Sequence, residues 1–121
     1  MASATTTTWD DFAQYATPPR GAGVTPTLAA LRERRGEILA IVERHKGGNV
    51  RVFGSVARGD AGSDSDVDLL IDLAPEATLL DLGGMYTDIG DLLDRELDIV
   101  YFHDGTSPTF RARVEREAVP L

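Results

Sequence analysis

The chain of 121 residues contains no cysteine, so disulfide staples, thiolate metal centres and cysteine nucleophiles are all excluded. Histidine is nearly as scarce: His45 and His103 are the only two, too few and too far apart for a zinc site or a convincing Ser-His-Asp arrangement. His45 falls near a predicted helix end, where an imidazole complements the helix dipole. No apolar run approaches the ~20 residues of a membrane span, and the first residues lack the hydrophobic core of a signal peptide. No membrane association and a cytoplasmic location are therefore expected. Positive charge is also in short supply. A net charge of −8 disfavours a protein that grips nucleic acid by neutralising phosphates, so no direct nucleic-acid binding is expected. Arg32, Arg34, Arg35 and Arg44 fall on one predicted helix and Arg111, Arg113 and Arg116 on another, and each group reads as a solvated face.

What is present suffices for one compact core, since 42% of the residues are hydrophobic. Residues 1–24 form a Thr-, Pro- and Gly-rich lead whose apolar anchors are Trp9, Phe12 and Tyr15, and they read as a flexible segment in which Trp9-Asp10-Asp11-Phe12 is suited to a short partner-binding helix. A single domain is expected over 25–121. Thr25-Pro26 offers an N-cap and first-turn proline, and Leu28, Leu31, Ile38, Ile41 and Val42 recur at helical spacing until Gly47-Gly48. A second helix is predicted from about Leu79 to Leu93, with Thr78 and Asp81 as a capping box and Leu82, Tyr86, Ile89 and Leu93 on one stripe. A third begins at Ser107-Pro108, with Phe110, Val114 and Ala118 inward. Strands are predicted at Val50–Phe53, Ser65–Leu73 and Leu97–Phe102. The alternation gives an α/β (α+β) fold: a small mixed sheet flanked by helices, the two acidic strands joined through a helix and Val50–Phe53 paired with its hairpin neighbour.

Chemistry concentrates at two places. Val50-Arg51-Val52-Phe53 stops at Gly54, and Ser55-Val56-Ala57-Arg58 accepts a helical turn before Gly59-Asp60-Ala61-Gly62 breaks the chain. A helix opening at Ser55 leaves unpaired N–H groups at its positive end, which suits a triphosphate. In Ser65–Leu73, Val67, Leu69, Ile71 and Leu73 alternate with Asp66, Asp68, Leu70 and Asp72, so period two places Asp66 and Asp68 on one face. Neighbouring carboxylates raise each other's pKa unless a cation lies between them, and Mg²⁺ is the natural choice because it is hard and takes oxygen ligands. Asp98, a single acid in an apolar strand, supplies a third carboxylate if that strand lies alongside. Asp60, Asp64 and Asp72 read as solvated loop acids.

Competing motifs fail. Asp64, Asp66 and Asp68 mimic an EF-hand opening, but Leu69 and Pro75 occupy the positions needing Gly and Glu. Gly54 and Gly59 have P-loop spacing, but Asp60 replaces the lysine. Gly21-Ala22-Gly23 lacks a third glycine and a preceding strand.

Gly54-Ser55, then Asp66-Val67-Asp68, then Asp98 resembles the pattern of the polymerase β-like nucleotidyltransferase superfamily, and the single-domain length is similar to its minimal nucleotidyltransferase (MNT) branch, often paired with HEPN toxins. The resemblance covers roughly residues 25–121. It implies that Gly54 and Ser55 hold the nucleotide phosphates, with Arg58 neutralising phosphate charge. It also implies that Asp66, Asp68 and Asp98 are the catalytic carboxylates and the ligands of a two-metal Mg²⁺ site, Asp98 lying near the attacking hydroxyl. ATP is the implied substrate and a HEPN ribonuclease toxin the implied partner, neutralised by AMP transfer to a tyrosine. Two alternatives stay open: a non-catalytic antitoxin acting by occlusion, and nucleotidyl transfer to a small molecule or RNA.

Overall fold

The computed structural model describes residues 25–121; the lead at 1–24, with its expected Trp9-Phe12 helix, lies outside them. In chain order the elements are α1 (Leu28–Glu33), α2 (Arg35–Arg44), β1 (Gly47–Phe53), α3 (Gly54–Arg58), β2 (Val67–Leu73), α4 (Leu79–Leu93), β3 (Leu97–Val100), α5 (Pro108–Glu117) and β4 (Val119–Pro120). The four strands form one mixed sheet in the order β3-β2-β1-β4. β1 runs antiparallel to both β2 and β4, while β2 and β3 are parallel and joined through α4, as the sequence predicts.

The first predicted helix is two. Thr27, not Thr25, is the N-cap, its hydroxyl accepting from the Ala30 N–H at 3.1 Å. Arg34 leaves helical geometry (φ −103°, ψ 16°), ending α1 and opening α2. Gly36, in the first turn of α2, is a poor helix former at that join. Nor do Gly47-Gly48 stop the helix. The chain turns at Lys46 (φ 66°), and Gly47 already belongs to β1, where a Cβ would stand 2.7 Å from the Met85 methyl. Glycine is needed there because strand backbone crosses tight against the core.

α4 matches its sequence signals. Thr78 and Asp81 form the predicted capping box. Met85, Ile89 and Gly90 are the residues it buries, with Leu82, Tyr86 and Leu93 packed at the margin. α5 opens with Ser107 as N-cap and Pro108 at its first position. β3 is shorter than expected because Tyr101 and Phe102 leave the ladder after the Leu70↔Val100 pair, and Phe102 packs on the far face of the sheet. β4 was not predictable: two residues, one of them proline, carry no strand signature, and a proline is tolerated because β4 lies at the sheet edge. Arg32 secures that edge, donating from Nη2 to the Pro120 carbonyl at 2.7 Å and from Nε to the Leu121 carbonyl at 3.3 Å.

The alternation in β2 sorts its side chains between two apolar layers. Val67, Leu69 and Ile71 face α2 and α4 in the main core, with Ile38, Val42, Val52, Met85 and Ile89. Asp68, Leu70 and Asp72 face the other way, where Leu70 joins Phe53 and Val114 in a smaller cluster under α5. Leu70, the one apolar residue among the acids, is thus explained by a second layer. Among the described residues no helix is long and apolar enough to cross a membrane.

Candidate functional site

The site is built where β1 ends. After Phe53 the chain turns at Gly54, whose φ of +71° is a left-handed conformation that side chains rarely adopt. The same residue faces Asp68: a Cβ here would collide with the Oδ2 of that carboxylate and lie 3.1 Å from its Cγ. Gly54 is therefore required by both backbone conformation and proximity. α3 follows at once, without a side-chain cap or an acidic residue in its first turn, so among the described residues no capping side chain takes up its leading N–H groups. Ser55 is half-buried in that turn. The short helix ends at Gly59 (φ 83°), whose N–H returns to the Ser55 carbonyl at 2.9 Å.

Strand pairing then aligns the acids. Phe53 stands opposite Asp68 across β1 and β2, and Asp68 opposite Asp98 across β2 and β3, giving one cross-sheet row that ends in two carboxylates. Asp66 is one residue short of the predicted strand: β2 begins at Val67, whose N–H donates to the Glu96 carbonyl at 3.1 Å, and Asp66 is exposed just ahead of it. A turn causes this start. The Ser65 N–H donates to the Gly62 carbonyl at 3.1 Å and the Gly62 N–H to the Ser65 hydroxyl at 2.9 Å, which takes Ser65 out of the ladder.

Electrostatics single out Asp68. Burial first, then the charges of Asp98 and Asp66, push its carboxyl up to about 6 from an ordinary value of 3.8. Arg58 draws it back down and Glu117 adds a further push. Arg58 itself is engaged, with Nε 3.2 Å from Asp60 and Nη1 2.9 Å from Glu117 of α5. The guanidinium that the resemblance assigns to phosphate is thus held by two carboxylates, Asp60 and Glu117. Glu117 escaped the sequence reading because a charge on a distant amphipathic helix has no local signature. Arg95 escaped it too: lying in an Asp-Arg-Glu run that reads as solvated, it is 5% exposed and donates to the Ser63 and Ser65 carbonyls at 2.8 and 3.3 Å.

Two charged residues outside the site have structural partners. Asp72 takes Arg51 at 2.6 Å and Asn49 at 3.0 Å, and His45, capping α2, meets Asp88 of α4 at 2.9 Å.

The donor set fits a hard divalent cation. Asp66, Asp68 and Asp98 offer only oxygen, none of them is paired with a described cation, and their mutual repulsion at Asp68 is what a cation relieves. Among the described residues no three such side chains are drawn together into a preformed metal-binding cluster. The strands bring Asp98 beside Asp68 as expected, without gathering the three carboxylates around one point.

Comparison with known proteins identifies the fold and the family. An inferred protein adenylyltransferase of Methanocaldococcus jannaschii is 28% identical over 91 residues, spanning 75% of this chain and 97% of its own. The solved structure of an inferred minimal nucleotidyltransferase superposes with a TM-score of 0.70 at 45% identity, covering 78% of this chain and 96% of that one. The fold is also shared, at TM-score 0.55 and 15% identity, with a structure of a tri-AMPylated Shewanella oneidensis HEPN toxin in complex with MNT antitoxin, covering 74% of this chain and 69% of that one. The sequence profile of the nucleotidyltransferase domain matches residues 36–120, and the chain belongs to that family.

Proposed function

We propose that the protein is a Mg²⁺-dependent adenylyltransferase that moves AMP from ATP to a tyrosine hydroxyl of a HEPN ribonuclease toxin and so acts as its antitoxin. The observation that supports this reading is the proximity of the Gly54 turn to Asp68, itself opposite Asp98, so that backbone N–H groups suited to phosphate lie beside two neighbouring carboxylates. A HEPN toxin as acceptor is supported by the tri-AMPylated toxin in complex with the MNT relative, and the tyrosine is what the family resemblance implies.

In this mechanism the N–H groups of the turn at Gly54 and Ser55, with the Ser55 hydroxyl, hold the outer phosphates of ATP. Arg58 exchanges Glu117 for phosphate oxygen, a short displacement for a long exposed side chain. Asp66, Asp68 and Asp98 would hold Mg²⁺, which when bound offsets charge on the attacking and leaving oxygens. Asp98, the most open of the strand pair, accepts the proton of the acceptor hydroxyl. The hydroxyl oxygen bonds to the α-phosphorus, the bond from that phosphorus to the bridging oxygen breaks, and pyrophosphate leaves.

The test is to mix the protein with its co-purified toxin, labelled ATP and Mg²⁺ and to measure intact masses. The toxin should gain one or more AMP moieties, and Asp66→Asn or Asp68→Asn should abolish the gain. Toxin silenced by the Asp68→Asn protein without any mass gain would establish occlusion instead. Label on tRNA or metabolites with none on the toxin would move the acceptor elsewhere.

A further inference from the structure

An arginine buried beside an exposed loop is costly unless its donors are used, because a charge withdrawn from water must recover its hydrogen bonds. Arg95 recovers them in a telling place. The left-handed cap of α4 at Asp94 (φ 49°) turns the chain, and the Arg95 N–H closes that turn on the Gly90 carbonyl at 3.3 Å. Its side chain then runs beneath the loop that precedes β2 and donates to the Ser63 and Ser65 carbonyls. One residue later the Glu96 carbonyl accepts from Val67, and two residues after that Asp98 stands opposite Asp68. Arg95 therefore clasps the residue immediately before Asp66 from the same strand entry that presents Asp98. Within the turn itself, the Ser65 N–H bonds back to the Gly62 carbonyl and the Gly62 N–H to the Ser65 hydroxyl, which leaves the Ser63 and Ser65 carbonyls facing Arg95.

We infer that Arg95 is a positioning residue: by holding the Ser63 and Ser65 carbonyls against the start of β3 it fixes where Asp66 stands relative to Asp68 and Asp98. The inference rests on the adenylyltransferase reading for the purpose of that placement, but the clasp itself is independent of it. Without the guanidinium, the hydrogen bond that remains beside Asp66 is the one from the Val67 N–H to the Glu96 carbonyl. Asp68 and Asp98 keep their ladder.

Two readouts on the full chain test this, neither of them turnover. The first is hydrogen exchange at single amides. In Arg95→Met the Ser65 and Val67 amides should exchange about tenfold faster or more, while the Val50 and Val52 amides of β1 keep wild-type protection. The second is Mn²⁺ affinity in the presence of AMP-PNP, followed by electron paramagnetic resonance. It should fall about tenfold or more, the range typical for loss of a group that orients metal ligands. Arg95→Lys, which keeps a donor for the same carbonyls, should fold as wild type and recover part of both signals. It carries the test if the methionine variant unfolds. Unchanged Mn²⁺ affinity in a folded variant, or acceleration spread evenly over β1 as well, overturns the inference. A wild-type protein that binds no Mn²⁺ with AMP-PNP refutes the adenylyltransferase reading instead, and the exchange pattern then decides the clasp alone.

Discussion

Gly54 faces the Asp68 carboxylate so closely that no Cβ fits between them, and it does so from a left-handed backbone conformation. Gly54→Ala should therefore fail twice, by strain and by collision. Left-handed strain alone is about 1–2 kcal/mol for a residue with a Cβ. The carboxylate displaced by the methyl is also one that the proposed chemistry requires in place. Urea unfolding should show a loss of about 2 kcal/mol or more, and AMP transfer should fall much further than the unfolded fraction accounts for. A stable, active alanine variant would show that the turn and Asp68 do not meet.

The raised pKa of Asp68 makes a second prediction with a definite sign. A carboxyl pushed up to about 6 keeps its proton in the folded protein over a range where the unfolded chain, near 3.8, has lost it. Folding is then favoured at low pH, and this contribution is lost as pH rises from about 4 to 6. Because the group is only half-buried, solvent reduces the effect to on the order of 1 kcal/mol. In the presence of a chelator, Asp68→Asn should raise the Tm at pH 7 to 8, and the difference from wild type should shrink toward pH 4. The same carboxyl must lose its proton to bind a cation, so Mg²⁺ affinity of the wild type should fall as pH drops below about 6. Calorimetric melts and titrations across that range check both. A destabilised Asp68→Asn protein at pH 8 would contradict the repulsion.

How much of this was legible in the sequence follows from how local each signal is. The Asp68–Asp98 register was legible because alternation fixes the face of Asp68, Asp98 is the one acid in an apolar strand, and a helix between the two strands favours the parallel pairing that sets them opposite one another. The Thr78–Asp81 box and the Ser107-Pro108 start were read correctly because a cap is a contact within four residues. Asp66 was placed in the strand because alternation runs on through it, whereas the turn closed by Gly62 and Ser65 ends the ladder at Val67. The break at Arg34 and the two-residue β4 were invisible because tertiary contacts decide them. Arg95 and Glu117 were missed for the same reason: their partners lie about 30 and 59 residues away.

Arg58 and Glu117 make a third prediction. Their ion pair is exposed, so Glu117→Gln should change stability by no more than about 0.5 kcal/mol. It should nevertheless ease the move of Arg58 toward phosphate and remove one of the charges that push Asp68 up. The expected result is a lower KM for ATP with kcat little altered, while Arg58→Ala raises the KM severalfold at similar stability. Matched kinetics of wild type and Glu117→Gln would mean that the pair does not compete with nucleotide.

The adjacent glycines of α4 should respond to alanine in opposite directions. Both lie inside a helix, where replacing glycine by alanine gains about 0.5–1 kcal/mol from backbone entropy if space allows. Around Gly83 nothing lies within 4 Å of the added methyl, so Gly83→Ala should stabilise by that amount. At Gly84 the methyl meets the His45 ring, 2.7 Å from Nδ1 and closer still to Cε1. That ring cannot simply swing aside, because its Nε2 is bound to Asp88 of the same helix at 2.9 Å. Gly84→Ala must either push α4 off α2 or break the His45–Asp88 bond, and it should cost more than the entropy gain returns, about 1 kcal/mol net or greater. Chemical denaturation of the two variants side by side checks the contrast. If His45→Ala restores the stability of Gly84→Ala, the collision with the imidazole is its cause.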